Sequence, residues 1–241
     1  MRVEVSSALP STKLRANAIR LNRILKYKKS GELLDIGAGI GDFLSIARSR
    51  FRVFGTEVSD TGIEVARNLW GVFLKKGDPR LFCGQKFDVI TLFHVLEHVH
   101  SPRQTILECH KLLKDDGVLI LVVPNEITGI RPLMVRILKK FGVRPFTSYG
   151  QLGLPKLTLD GTLKEIHLSH FTESTLILLL HLNGFEVIEN TLDPAYAAGG
   201  MQQLLYHVLY VVLSIVKRFT GMNFFIAMWI TAKKRQLKPG S

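Results

Sequence analysis

The residues whose types and spacing could do chemistry begin with the run Asp35-Ile36-Gly37-Ala38-Gly39-Ile40-Gly41-Asp42. Glycines here let the backbone turn sharply and let a ligand approach the main chain without side-chain obstruction. Dinucleotide loops use the spacing G-x-G-x-x-G and aim a helix N-terminus at a pyrophosphate. This loop is G-x-G-x-G, and Asp42 stands where the third glycine would be, where its carboxylate would repel a pyrophosphate. No lysine-serine pair follows, which excludes a phosphate-binding P-loop. Asp35, ending an apolar run, suits a positively charged amine instead. About 20 residues further on, Glu57 closes a second apolar run, where an acid can accept both hydroxyl protons of a ribose.

Two groups of histidines add further chemistry. His94-Val95-Leu96-Glu97-His98 spells H-x-x-E-H, an inverted zincin pattern. A zinc site of that kind needs both histidines on one helix face and a third ligand. His94 directly follows an apolar strand, so it sits at a strand–loop junction where that geometry fails; a zinc hydrolase using His94, Glu97 and His98 is the rival to be tested. His167 and His170 precede a helix, where a neutral imidazole can take a proton from a hydroxyl or simply cap the loop. His110, His181 and His207 fall inside helices and read as structural. Cys83 and Cys109 show neither metal spacing nor a nucleophilic partner, and no metal is expected.

The elements that must position these residues alternate. Apolar spacing predicts a helix over Ser11–Lys29 and a strand over Leu33–Ile36. A helix over Asp42–Ser49, a strand over Arg52–Glu57 and a helix over Asp60–Leu69 follow. Val72–Leu74 reads as a short third strand. Phe87–Phe93 and Gly117–Val123 are near-continuous apolar runs, as in strands buried on both faces of a parallel sheet, with a helix from Pro102 to Leu113 between them. Regularity fails from Asn125 to about His167, apart from a basic helix at Leu133–Lys140, and an irregular segment of that length is expected to be a lid. A helix over Thr172–Asn183, a strand over Phe185–Glu189, an apolar helix over Met201–Arg218 and a last strand over Asn223–Ala232 complete the chain. The expectation is an α/β doubly wound sheet. It divides into a basic N-terminal helix (1–30), an α/β core (31–124), an irregular lid (125–170) and the C-terminal half of the same domain (171–241).

Together, an amine-binding acid, a glycine turn and a ribose-binding acid describe a nucleoside bearing an amino acid, which is S-adenosyl-L-methionine. Five runs bear on this: Leu33 to Phe43, Gly55-Thr56-Glu57, Phe87 to His98, Leu112 to Leu121 and His167 to Thr172. In these runs the chain resembles class I SAM-dependent methyltransferases, nearest the small-molecule branch that includes quinone-biosynthesis enzymes. The resemblance implies a Rossmann-like, seven-stranded sheet whose last strand runs antiparallel. It implies that Asp35, Gly37, Ala38 and Gly39 hold the methionine end, Glu57 the ribose and Asp78 the adenine amine. Phe93 and His94 would border the transferable methyl group, with His94, His167 and His170 as candidate proton acceptors.

Composition bears on the partner. The 241 residues carry a net charge of +12. Residues 1–31 hold 8 basic and 1 acidic side chains, residues 217–241 hold 6 and none, and the stretch between holds 18 and 19. Few aromatics interleave with the terminal cations, which argues against nucleic acid. After the fourth strand stands Phe93-His94-Val95 rather than an Asn/Asp-Pro-Pro-Tyr motif, which disfavours amino-methylation of DNA, and no Pro-Cys pair offers cytosine C5 chemistry. The acceptor expected is a hydroxyl or activated carbon on a small or lipid-linked compound; the rival is a SAM-binding regulator without catalysis. Leu204–Val216 is too short to span a bilayer, and as a core, dimer or membrane-surface helix it leaves peripheral membrane contact open. With two cysteines and no opening signal peptide, a reducing cytoplasm is the expected compartment.

Overall fold

A computed structural model of the chain describes residues 11–144, 167–195 and 199–236. In chain order the elements are α1 (Ser11–Ile24), β1 (Gly31–Ile36), α2 (Asp42–Ala47), β2 (Phe51–Glu57), α3 (Asp60–Trp70) and β3 (Lys75–Lys76). A 3-10 turn (Pro79–Phe82), β4 (Phe87–Phe93), α4 (Pro102–Leu112), β5 (Leu113–Pro124) and α5 (Ile130–Lys140) come next. They are followed by α6 (Glu173–Leu182), β6 (Phe185–Leu192), α7 (Gly200–Thr220) and β7 (Ala227–Lys234).

The seven strands form one sheet in the order β3-β2-β1-β4-β5-β7-β6, with β7 antiparallel to both neighbours. The expected doubly wound, seven-stranded sheet with an antiparallel last strand is therefore present. Alternation of side chains divides the core in two. Leu34, Ile90, Leu92, Leu119 and Leu121 point to one face and pack with Ile106 of α4 and Leu176 and Leu180 of α6. Leu33, Val89, Val118, Ile120 and Trp229 point to the other, against Ile24 of α1, Phe43 and Leu44 of α2 and Ala66 of α3. Strand order reverses between β1 and β4, and α/β sheets open their ligand crevice at that point, beyond the carboxyl ends of the strands.

Several boundaries differ from the periodicity. α1 stops at Ile24, and Lys26 and Tyr27 close it with tighter turns onto the carbonyls of Arg23 and Ile24. The third strand is Lys75–Lys76, paired with Thr56 and Glu57, rather than Val72–Leu74; Val72 is instead buried in the core beneath α2 and α3. β7 starts at Ala227 because Asn223 Oδ1 accepts from Phe225 N, 2.9 Å away, and makes a turn there. Of the expected lid, residues 125–144 form a turn and α5, while 145–166 lie outside the described residues. Cys109 is buried, which pushes its thiol well above the ordinary range, and Cys83 is exposed.

The terminal positive charge is partly spent inside the fold. Arg20 pairs with Asp193 at 2.6 Å, Arg23 with Glu189 at 2.7 Å and Lys28 with Asp116 at 2.6 Å. Lys217 pairs with Glu173, and Lys234 with Asp115 at 3.1 Å. The acids of the middle stretch are thus partners of the terminal cations, so the excess of +12 is less confined to the two ends than the counts imply.

Candidate active site

The glycine loop joins β1 to α2 at the sheet's switch point, and its geometry needs glycine. Gly37 has φ +68°, and a Cβ there would stand 2.6 Å from Val95 Cγ2. Gly41 has φ +74°, and its Cβ would stand 2.9 Å from the Cβ of Ala66 in α3. At Gly39, φ +57°, a Cβ would meet nothing within 4 Å, so the main chain there faces open space. Gly37→Ala is expected to cost about 2–4 kcal/mol, from overpacking and positive φ together, read as a drop in the denaturation midpoint.

Asp35 ends β1 and is 3% exposed. Thr91 Oγ1 of β4 donates to its Oδ1 at 2.6 Å. Burial raises its pKa to about 7, with Asp42 and Glu57 adding to the rise while Thr91 and Arg20 oppose it. The cleft thus holds a carboxyl whose ionisation a bound cation would favour. Asp35, Gly37, Ala38, Gly39, Phe93 and His94 line one cleft of about 430 Å³.

Glu57 ends β2 beside this cleft. Its Oε2 accepts from Gly39 N at 2.7 Å, and its Oε1 accepts from Val58 N and Ser59 N at 2.8 and 2.9 Å. Gly62 in the first turn of α3 makes this possible, since a Cβ there would stand 2.9 Å from the Gly39 carbonyl. The three amides fix the carboxylate: the two on Oε1 fill its lone pairs, and Oε2, with one, keeps acceptor capacity for a hydroxyl. Glu57 and Asp78 line a second cavity of about 550 Å³, with Ile36, Val95 and Val99 among its apolar walls. Asp78 caps the 3-10 turn, and Arg80 grips both its oxygens at 2.5–3.0 Å, which holds its pKa below the ordinary value. The two cavities share Gly37.

His94 follows β4 with φ +57°, and among the described residues it alone combines positive φ with a side chain. Such a conformation costs about 1–2 kcal/mol. Its N–H is tied to the Val122 carbonyl at 2.9 Å, and its ring is 44% exposed in the cleft beside Phe93. Behind it lies Glu97, whose side chain is 1% exposed, with Oε1 3.6 Å from His94 Nδ1. Neither Glu97 oxygen accepts a hydrogen bond among the described residues, which is rare for a buried carboxylate.

The zincin geometry is not made, because residues 94–100 are turns rather than a helix. Other ligand-bearing atoms do converge: Glu97, His98 and His167 form one group within 4.8 Å, and Glu126, His167 and His170 form another. Glu126 Oε2 lies 2.8 Å from His167 Nδ1 and 2.7 Å from His170 Nδ1. Both contacts lower its pKa against the opposing effect of burial. His167 packs edge-on to His98 with ring centres 4.7 Å apart, and neither His167 nor His170 lines the two cavities. His94 is thereby separated from the other two candidate bases.

Sequence reasoning missed the contribution of α1. Lys13, Asn17 and Arg20 line the Asp35 cleft together with Ala195. Arg20 lies 4.6 Å over the Phe93 ring and 3.5 Å from His94 Nε2, held there by Asp193. The helix looks like a solvated basic one because its partners, Asp193 and Glu189, stand more than 160 positions away. The inward arginines share one helical face at spacing three, which was the available signal.

The family and fold imply S-adenosyl-L-methionine, and the residues present fit it. A buried carboxyl near one end suits its ammonium, an oriented carboxylate at the other suits its ribose, and the open face at Gly39 leaves room along the loop. In comparisons with known proteins, residues 12–190 match the family model described as a methyltransferase domain. The chain is 35% identical over 128 residues to the ubiquinone biosynthesis O-methyltransferase of Actinobacillus pleuropneumoniae, covering 46% of this chain and 54% of that protein. It is 27% identical over 197 residues to the one of Pasteurella multocida, covering 70% and 76%. The chain spans about half the length of most of the curated relatives it matches.

Among solved structures, a SAM dependent methyltransferase from Archaeoglobus fulgidus superposes with TM-score 0.57 at 18% identity, covering 92% of this chain and 94% of that one. An S-adenosylmethionine-dependent methyltransferase from Clostridium acetobutylicum superposes with 0.58 at 10%, covering 97% and 95%; these show the fold. With a family model spanning residues 12–190, most of the chain, over a fold that carries the glycine loop, buried Asp35 and oriented Glu57 at its switch point, the chain belongs to the methyltransferase-domain family.

Proposed function

We propose that this protein transfers a methyl group from S-adenosyl-L-methionine to a hydroxyl of a small or lipid-linked acceptor, with His94 as the base. The observation that carries the base assignment is the strained His94 at the end of β4, which lines the Asp35 cleft and is backed by the buried carboxylate of Glu97. The names of the relatives support an oxygen acceptor, since they are O-methyltransferases of ubiquinone biosynthesis.

When bound, the donor supplies an electrophilic methyl carried on a sulfonium. The chain's own residues do the rest. Asp35 ionises and holds the ammonium, Glu57 Oε2 receives a ribose hydroxyl, and Phe93 walls the cleft. His94 Nε2 gives up its 3.5 Å contact with Arg20 to take the acceptor's hydroxyl proton as oxygen attacks, and Glu97 behind Nδ1 stabilises the imidazolium that results. Most of the acceleration in such a displacement comes from orientation in a dry cleft, with the base adding its share.

Calorimetry with S-adenosyl-L-methionine or S-adenosylhomocysteine tests the donor site: binding is expected, weakened at least tenfold by Glu57→Ala. An absence of binding, or binding indifferent to both Asp35→Ala and Glu57→Ala, sinks the proposal. A labelled-methyl screen over phenols, hydroxylated lipids and sugars then identifies the acceptor. Donor binding without transfer to any of these would favour a regulator over an enzyme.

A further inference from the structure

Helix α7 packs into the fold through one narrow face. Leu213, with Leu209 and Tyr210 beside it, sits against Leu192 and Phe225. Its opposite face is apolar and exposed: Leu204, Leu205, Val208, Val212, Ile215 and Phe219 are all solvent-facing, the last 82% exposed. At 100° per residue these positions fall within about a third of the helix circumference. A second exposed stripe runs along α5, where Met134, Ile137 and Phe141 share one face. Ile130 N at the start of α5 donates to the carbonyl of Phe224, in the segment that joins α7 to β7, which ties the start of α5 to the chain leaving α7. A soluble surface rarely leaves so much contiguous apolar area uncovered.

Charge decides what covers it. Residues 194–241 contain no aspartate or glutamate, and neither do residues 127–144. Arg218 at the edge of the α7 stripe, and Arg131, Lys140 and Arg144 around the α5 stripe, are exposed. A second copy docking here would bring two such acid-free surfaces together in a chain whose net charge is +12. A bilayer of anionic lipid offers apolar depth and opposite charge at once. No helix among the described residues is long and apolar enough to cross a membrane, so the helix would lie on the surface.

We infer that the exposed faces of α7 and α5 form a docking surface for an anionic lipid bilayer. A groove of about 530 Å³ lies between α1 and α7, walled by Ile19, Leu204 and Tyr210, and Ala16 lines both this groove and the Asp35 cleft. A docked α7 therefore sets the membrane beside a groove that adjoins the cleft of the proposed reaction centre at Ala16. The docking itself does not rest on the methyl-transfer reading.

The test is flotation of the full chain with vesicles of phosphatidylcholine, with and without phosphatidylglycerol. Binding is expected to the anionic vesicles, at least about tenfold stronger than to neutral ones and weakened by salt. The paired change Val208→Glu and Val212→Glu should abolish it, and Arg131→Glu with Lys140→Glu should reduce it severalfold. Both variants alter exposed side chains, and unchanged calorimetry with S-adenosylhomocysteine confirms that they remain folded. Equal binding to neutral vesicles, or binding indifferent to these substitutions, overturns the proposal. So does a concentration-dependent dimer that the Val208 and Val212 changes dissolve in a protein that ignores vesicles, since the face would then belong to a second copy. Loss of vesicle binding with donor binding intact leaves the active-site reading standing.

Discussion

Asp35→Asn is expected to weaken donor binding at least about 100-fold while making the ligand-free protein more stable above pH 7. The first effect follows from removing the carboxylate that faces the ammonium in a buried site, where an unpaired charge is costly. The second follows from linkage. The ordinary aspartate value is 3.8, whereas burial raises that of Asp35 in the folded chain to about 7. Between those values the folded state binds a proton that the unfolded state has released, so stability falls as pH rises through that window and stays lowered above it. At about 1.4 kcal/mol per unit the loss is a few kcal/mol. Asparagine does not ionise and keeps an acceptor for Thr91, so the variant escapes that loss.

For a chain of this length each kcal/mol moves the melting temperature by about 2–4 °C. Thermal melts of the two proteins across pH 4–8 therefore check the sign as well as the size. Donor affinity of the parent should rise about tenfold per pH unit up to about 7 and level off above it. Arg20 opposes the raised pKa and Asp42 and Glu57 sustain it, so Arg20→Ala should move the levelling point upward. An unchanged donor affinity in Asp35→Asn would remove the basis for the donor site.

Replacing His94 should separate catalysis from folding. His94→Gln is expected to lower kcat by about 100- to 10,000-fold, with donor affinity within a few-fold of the parent. Glu97→Gln should give a smaller fall, because it removes the charge behind Nδ1 and leaves the ring in the cleft. His94→Gly is the sharper variant. The residue holds φ +57°, which glycine adopts freely, so stability should stay within about 1 kcal/mol of the parent while transfer is lost. If the glycine variant kept full activity in the labelled-methyl assay, or lost donor binding too, His94 would not be the base.

The parts of the site legible in the sequence are those made by neighbours in the chain. Asp35, the three glycines and Glu57 report themselves because a tight turn after an apolar strand has few residue solutions, and because two adjacent parallel strands end level: Ile36 pairs with Thr56 in register. The apolar runs of β4 and β5 likewise announce strands covered on both faces. Val72–Leu74 misled for the converse reason: Val72 and Leu74 pack into a core under helices while Phe73 stands exposed, and only the free edge of β2 selects Lys75–Lys76 for pairing. The part played by α1 was illegible locally, since Arg20 and Arg23 acquire their acids only when β6 and the segment after it fold back against the helix.

The same division separates donor from acceptor. Local sequence determined the glycine turn and its two flanking acids, because these are formed by main chain and strand ends. Tertiary structure decided which of the candidate histidines lines the Asp35 cleft, by placing His94 there at a positive φ and leaving His167 and His170 on Glu126. It also decided which terminal cations face outward and which are neutralised within, because pairing of distant charges depends on which surfaces the sheet brings together.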